Sequence, residues 1–464
     1  MLKEEGEVVV IGGGSAGYVA AIRAAQLGGK VILIEKDKLG GVCLNVGCVP
    51  TKTLVQSVEL LSLMKRAHQF GLKVENFSPD LNQIMERKRK VVDQLVRGVG
   101  YLIKKNKVNL IKGKATIADS SRVIVEGEEK EYEIKAKNII IATGSSPAVL
   151  SLEKVDDKDI LTSTEALNLK EVPKNLLIIG GGVIGVEFAY IYAGLGSRIS
   201  IVEMLPRILP GEDKEISERL KRILTRRGTS VFTSSTVESV ERGKDNYIAS
   251  IRTAEGKKEI PFEKVLVCIG RVPNSKGIGL EELGVEVGEK GWIKVTSQME
   301  TNIPNVYAAG DVIGGYCLAH VAYREGEIAA ENAMGQLSKI NYRAVPRFVC
   351  SSPELASVGL SEEEAQKKDY SIKVGRFPFM GNSKALILGE REGFVKVICD
   401  AESEEILGVH ILGPQATNLI SEAAVAINLE CTLNEVIDTI HPHPTLSEAL
   451  REACLEAKGR AIHI

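Results

Sequence analysis

What the sequence has little of narrows the question first. Only eight of its 464 residues are cysteine, too few for a disulfide-built scaffold. Six of them (Cys268, Cys317, Cys350, Cys399, Cys431 and Cys454) are scattered, mostly in apolar runs, and read as inert buried thiols. No apolar run approaches the ~18 residues of a membrane-spanning helix, and Met1–Glu5 lacks the apolar core of a signal peptide. Neither sign of charge prevails. The 59 basic and 61 acidic side chains leave a net charge of −2, which argues against nucleic acid or an anionic membrane as a general partner. The one basic run, within Glu86–Lys90, reads as a solvated helix face. These absences favour a reducing, cytoplasmic setting, in which two closely spaced cysteines serve redox chemistry rather than stapling. No metal centre is expected. The chain is 44% hydrophobic and 26% charged, and its length suits about three domains.

The close pair is Cys43 and Cys48, within Gly40-Gly41-Val42-Cys43-Leu44-Asn45-Val46-Gly47-Cys48-Val49-Pro50-Thr51-Lys52. A regular helix holds such a pair more than ~7 Å apart at Cα, beyond disulfide reach. Bonding therefore requires a distorted helix start, which Gly47 and Pro50 permit. A strained, partly exposed disulfide belongs to the labile, catalytic kind. Two small apolar residues in a helix are the plainer alternative.

Before this stretch, Glu7–Ile11 reads as a buried strand, followed by Gly12-Gly13-Gly14-Ser15-Ala16-Gly17, an alanine-rich helix, and a strand ending at Glu35. This is a dinucleotide fingerprint in its strand–turn–helix setting. Gly12 makes the turn, Gly14 admits a pyrophosphate to the helix N-terminus, Gly17 allows close packing, and Glu35 accepts hydrogen bonds from a ribose diol. The unit recurs as Leu176–Ile179, then Gly180, Gly182 and Gly185, then a strand ending at Glu203, with the same spacing from first glycine to acid. Two units imply two dinucleotides. A carboxylate at 203 repels a 2′-phosphate, so the second site should prefer NAD to NADP.

Further strand-then-glycine stretches end at Thr143-Gly144-Ser145, at Gly270 and at Ala309-Gly310-Asp311. Asp311 is either a carboxylate beside a cofactor or a helix N-cap. The order suggests that the second dinucleotide unit is inserted into the first domain, which resumes before Asp311. From about Val345 the pattern changes to strands joined by short turns, at Ala385–Gly389, Gly393–Ile398 and Ile406–Ile411, with helix-like stretches over 415–430 and 446–458. That predicts an α+β domain with an antiparallel sheet.

Near its end, His443 stands between Pro442 and Pro444, with Glu448 five residues on. Histidine passes protons near neutral pH, and rigid placement suits a general acid–base. Glu448 would orient the ring and stabilise its cation. A surface turn capping the next helix, with Thr445 or Ser447 as cap, is the alternative.

Over essentially its full length the chain resembles the flavin-dependent pyridine nucleotide–disulfide oxidoreductases of the class I type. The resemblance rests on residues 40–52, both glycine fingerprints, Ala308-Ala309-Gly310-Asp311 and His443-Pro444-Thr445-Leu446-Ser447-Glu448. The Cys-Leu-Asn-Val-Gly-Cys run is highly specific to that family, and the tail narrows the likeness to members that oxidise dihydrolipoyl groups. It implies an α/β fold with two Rossmann-like dinucleotide-binding domains and a C-terminal α+β dimerisation domain. The limits it suggests are 1–147 for FAD binding, 148–271 for NAD binding, 272–344 for a central domain continuing the FAD-binding region, and 345–464 for the interface domain.

By the same resemblance, Cys43 and Cys48 form a redox-active disulfide and His443 with Glu448 is the acid–base pair. Asp311 bonds the flavin's ribityl chain or phosphates, and Lys52 sits beside the isoalloxazine paired with Glu187. Ala115, Thr143, Gly144, Ser145, Val237, Gly270 and Ala319 join the glycines and acids as cofactor contacts. Family members are homodimers in which the histidine reaches the opposite subunit's disulfide, and the bond before Pro444 is cis. The partners implied are a second copy and a lipoyl-bearing protein of a 2-oxo acid dehydrogenase or glycine cleavage complex. Val42, Tyr316-Cys317-Leu318 and Val321 depart from the family's usual residues near the flavin. A glutathione-type reductase would normally use NADPH, which Glu203 disfavours. A mainly structural role in a dehydrogenase complex would leave the cysteines dispensable.

Overall fold

The structure is a computed structural model that describes residues 1–244 and 246–464. It divides into two compact units, one of residues 1–53, 83–148 and 270–341, the other of 54–82, 149–269 and 342–464.

In the first unit, Val8, Val9, Val10 and Ile11 are all buried, as in a parallel strand covered on both faces. Their strand, Leu2–Ile11, pairs in parallel with Val31–Glu35 on one side and Glu131–Ile141 on the other. Asn109–Asp119 extends the sheet beyond Val31–Glu35, and Val306–Ala308 extends it beyond Glu131–Ile141. Arg122–Gly127 pairs antiparallel with both long strands. Helices Ser15–Gln26 and Ala319–Ala333 cross closely: a Cβ at Gly326 would lie 2.3 Å from the Ala16 carbonyl oxygen. A two-stranded ribbon joins Ser145–Pro147 to Arg271–Pro273.

The second unit repeats the theme. Asn175–Ile179 runs parallel to Arg198–Val202 and Lys264–Val267, with Ser230–Phe232 and Ile160–Leu161 outside them. A three-stranded antiparallel sheet of Thr236–Arg242, Tyr247–Thr253 and Gly256–Phe262 follows. From Arg347 onward five antiparallel strands are ordered Arg347–Val349, Glu354–Gly359, Ile406–Gly413, Phe394–Asp400, Ile372–Pro378. Helices Ala416–Asn428 and Glu448–Ala457 share an apolar core with them. The α/β class and the antiparallel C-terminal sheet are those expected.

One expected strand is a helix. Ala385–Gly389 lies mostly in helix Ser383–Leu388, whose N-cap Asn382 accepts from the Ala385 N–H at 3.0 Å, and Gly389 closes it at φ +67°. Four apolar residues are too few for their period to tell strand from helix, and the cap decides it. Strands Arg347–Val349, Glu354–Gly359 and Ile372–Pro378 were not foreseen. Of the six scattered cysteines, Cys399 and Cys454 are buried, while the other four are only half-buried.

Charge is also buried in this unit. Lys396 is 1% exposed and its Nζ lies 3.0 Å from both oxygens of Asp213, the N-cap of helix Lys214–Arg226. Glu215 and Glu362 complete the ring around the ammonium. Among the described residues no helix is long and apolar enough to cross a membrane.

Candidate active site

The helix carrying the cysteines is broken between them. Gly41–Val46 forms one short helix, Gly47 leaves helical geometry at φ −139° and ψ −115°, and Cys48–Arg66 begins a second. A Cβ at Gly47 would lie 2.8 Å from the Val42 carbonyl oxygen, so the break needs glycine. Asn45 Nδ2 donates to the Leu39 and Gly41 carbonyls at 3.0 and 2.9 Å, which ties the first helix to the loop before it. Pro50 sits inside the first turn of the second helix, where a missing N–H costs nothing.

This break brings the two sulfurs together. Both side chains are thiols within hydrogen-bond reach of each other, Cys43 half-buried and Cys48 exposed. The shared proton with Cys48, then burial, push the Cys43 thiol far above its ordinary range, while the Ser15 hydroxyl and the Lys52 charge act the other way. Tyr18, whose ring meets Tyr323 edge-on at 6.0 Å, also faces Cys43. Ser15, Tyr18 and Tyr323 were not foreseen; only the fold brings residues of two helices to the cysteine loop.

Both glycine loops have one geometry. The Gly13 N–H donates to Glu35 Oε2 and the Gly181 N–H to Glu203 Oε2, each at 2.6 Å. Asp37 and Leu205 N–H groups hold the other oxygens at 2.8 and 2.7 Å. Each carboxylate is thus fixed at its strand end with lone pairs left for a diol. Gly17 and Gly185 are forced by close approach, since a Cβ there would lie 1.8 and 2.1 Å from the carbonyl oxygens of Gly12 and Gly180. At Gly182 a Cβ would meet nothing within 4 Å, and at Gly14 only the Gly41 Cα at 3.8 Å. Each helix therefore opens on a space that a side chain would fill, rimmed by backbone N–H groups, as a pyrophosphate requires. The residues fit two dinucleotides.

Ser145 Oγ donates to Asp311 Oδ2 at 2.6 Å, and Arg271 Nε reaches Ser145 Oγ at 2.7 Å and Asp311 Oδ2 at 3.5 Å. The Asp311 carboxylate is therefore tied to the ribbon, and the short helix it opens has no side-chain cap bond. Arg271 was overlooked although it follows Gly270, whose carbonyl accepts from the Ala148 N–H at 3.0 Å. Asn274 was overlooked too, and it holds Thr143 by Oγ1–H to its carbonyl at 2.8 Å and by its own amide to the Thr143 carbonyl at 3.0 Å. Gly144 accepts from the Asn274 N–H. Burial and then Asp311 push the neighbouring Cys317 thiol up to about 11.

The remaining expected contacts are placed as follows. Ala115 is buried on the strand whose Lys112 opposes Glu35, and Ala319 begins helix Ala319–Ala333. Val237 follows by two residues Ser235, whose N–H donates to the Glu203 carbonyl at 2.9 Å. Glu187 is buried in helix Val183–Leu195 and accepts the Cys350 N–H at 2.9 Å, a partner with no sequence signal.

His443 directly precedes Pro444, and the peptide bond between them is cis. Its Nδ1 is 2.8 Å from Glu448 Oε1, and the Thr445 N–H holds Oε2 at 2.8 Å. A carboxylate on Nδ1 fixes the proton there and leaves the lone pair on Nε2, the tautomer of a base. The ring is 68% exposed. Burial works against the Glu448 charge, yet the Thr445 N–H and His443 hold its carboxyl below the usual range. Ser447, one of the two caps the alternative named, makes no capping bond, while the Thr445 N–H is held by Glu448 at the helix start. Among the described residues no cluster of three metal-ligating side chains occurs.

The family model described as pyridine nucleotide-disulphide oxidoreductase matches residues 6–326, and its dimerisation domain matches 345–454. The chain is 45% identical to a dihydrolipoyl dehydrogenase of Bacillus subtilis, covering 99% of both chains. It is 44% identical to one of Thermus scotoductus over 99% of this chain and 98% of that one. Among solved structures it is similar to LpdA of Mycobacterium tuberculosis, with a TM-score of 0.89, 30% identity and coverage of 98% and 99%. It is also similar to RclA, an HOCl-induced flavoprotein disulfide reductase of Escherichia coli, with a TM-score of 0.86, 28% identity and coverage of 97% and 99%.

Proposed function

The chain belongs to the pyridine nucleotide-disulphide oxidoreductase family, and from that premise we propose that it oxidises dihydrolipoyl groups to the cyclic disulfide with reduction of NAD+. The observation that carries this reading is the contact of Cys43 with Cys48 across the Gly47 break, in a chain with two dinucleotide-type glycine loops. Gly12, Gly14, Gly17 and Glu35 would hold FAD, which would supply a two-electron carrier between the cysteine pair and a nicotinamide.

The chain's own residues do the rest. The substrate thiol is a weak nucleophile until deprotonated. His443 takes that proton on Nε2 while Glu448 steadies the imidazolium. The thiolate attacks the Cys43 sulfur of the oxidised pair, the S–S bond breaks, and Cys48 leaves as thiolate. The second substrate thiol then attacks the first sulfur and gives its proton to the departing Cys43 sulfur, releasing the cyclic disulfide with Cys43 as thiol. Two electrons have moved to the cysteine pair, one substrate proton rests on His443 and the other on Cys43. Lys52, four residues after Cys48, places a cation beside the sulfurs. Glu203 accepts the ribose hydroxyls of NAD+.

The FAD-binding part is assigned to 1–147 and 272–344, the NAD-binding part to 148–271 and the interface domain to 345–464. The working form is a cytoplasmic homodimer in which His443 of one subunit serves the cysteine pair of the other. Its substrate is carried by a lipoyl-bearing protein of a 2-oxo acid dehydrogenase or glycine cleavage complex. Purified protein is to be assayed with dihydrolipoamide and NAD+, and with glutathione disulfide and NADPH. Turnover with the first pair alone is expected, and turnover with the second alone would overturn the assignment.

A further inference from the structure

One row of polar side chains crosses the whole C-terminal sheet. Arg347, Ser357, His410, Lys396 and Arg376 are partners in register on its five adjacent strands, so their side chains stand on one face. Ser357, His410 and Lys396 are buried, while the arginines at the two ends reach solvent. Buried polar groups need partners, and a single segment of the second unit supplies most of them. Arg347 Nε donates to Glu212 Oε1 at 3.1 Å, and the Ser357 hydroxyl donates to Glu212 Oε2. Lys396 holds Asp213, and Arg376 Nε lies 2.9 Å from Glu215 Oε2. Glu212, Asp213 and Glu215 thus meet the row in order, from one sheet edge towards the other.

The same segment is fastened to the second glycine loop. The Glu212 N–H donates to the Leu209 carbonyl at 2.9 Å, and the Leu209 N–H donates to the Gly181 carbonyl at 2.8 Å. The Gly181 N–H is the one held by Glu203, so both polar groups of that residue are tied to the segment. The packing is direct, since a Cβ at Gly181 would lie 2.9 Å from Ile208 Cγ2. Ile208 and Leu209 share one buried cluster with Val186 of the loop's helix and with Val349, Leu355 and Leu412 of the sheet. We propose that Arg347, acting through Glu212, is a positioning residue for NAD+, with Ser357 and Lys396 beside it. The row holds residues 203–215 so that the glycine loop is ordered before the nucleotide arrives. This rests on the reading above, in which the second loop receives NAD+. Buried ion pairs add little net stability compared with apolar packing, but they can fix one register. A loop that is not held must be ordered on binding, which weakens affinity.

The test is NAD+ binding, by titration calorimetry on the full-length, flavin-loaded protein. R347M removes the donor from the sheet side, and E212Q removes the charge from the loop side. Both should raise the Kd for NAD+ by about threefold to thirtyfold. The KM for NAD+ should rise by the same factor, while the KM for dihydrolipoamide stays at the wild-type value. V397A separates positioning from general loss of stability. Val397 neighbours Lys396 on the same strand but points into the core on the opposite face. It should melt lower and bind NAD+ as the wild type does. An R347M or E212Q protein with the wild-type Kd would overturn the proposal, as would equal weakening in V397A. A wild-type protein that binds no NAD+ would instead remove the cofactor reading beneath it.

Discussion

The Gly181 N–H donates to Glu203 Oε2 at 2.6 Å, and in the other glycine loop the Gly13–Glu35 bond has the same length. The acid that would read the ribose is thereby fastened to the glycine loop that would receive the pyrophosphate. Selectivity and loop order are one contact. Removing the carboxylate loses charge-assisted bonds worth about 1.5–3 kcal/mol, a tenfold to hundredfold effect. Glu203→Ala should therefore raise KM for NAD+ by about that factor and narrow the gap to NADP+, as steady-state kinetics with both cofactors will show.

The glycines of the second loop separate fold from binding. A Cβ at Gly182 meets nothing, whereas one at Gly185 would lie 2.1 Å from the Gly180 carbonyl. Gly182→Ala should keep the wild-type melting temperature while losing NAD+ affinity. Gly185→Ala should melt lower, because the helix cannot sit on its strand. Thermal denaturation with and without NAD+ distinguishes the two.

Acid behaviour follows from Glu448. Its carboxyl is held below the ordinary value of 4.5, against burial, by the Thr445 N–H and His443. A lowered value in the folded state means its contribution is complete above the unfolded-state value and is lost as pH falls through the folded one. Glu448→Gln should thus remove a stabilisation that is present at neutral pH and vanishes in acid. It should also cut kcat by about tenfold to a thousandfold, since the ring loses its orienting charge. Denaturation midpoints across pH, together with kcat, check both halves.

Lys396 and Asp213 offer a test away from the chemistry. Both are 1% exposed and 3.0 Å apart. Lys396→Met leaves Asp213 buried without its ammonium, and breaking a buried pair on one side costs about 3–5 kcal/mol. Urea denaturation should show a loss of that order. Asp213 is itself held below its ordinary value: burial opposes its charge, but His410 and Lys396 outweigh it. This stabilisation is therefore also lost in acid.

What could be read before folding was local. Gly12, Gly14, Gly17 and Glu35 lie within one strand–helix–strand unit, so their spacing carries their geometry, and the same holds for His443 with Glu448. Arg271 is 126 residues from the Ser145 hydroxyl it holds, and Cys350 is 163 residues from Glu187, distances across which spacing carries nothing. Ala385–Gly389 went astray for the opposite reason. Its four apolar residues fit either period, and Asn382 with Gly389 settled the choice. Cys43 and Cys48 fall between these cases. Their five-residue spacing demanded a break, Gly47 marked where it could fall, and only the fold showed the sulfurs meeting.

The relay is tested most directly by Cys48→Ser, assayed anaerobically for NADH formation from dihydrolipoamide and NAD+ alongside the flavin content of the purified protein. The account predicts a yellow protein with wild-type flavin content and turnover reduced by about a thousandfold or more, the scale seen when a covalent-catalysis residue is removed. A flavin-replete Cys48→Ser protein that still reduces NAD+ at the wild-type rate would contradict it.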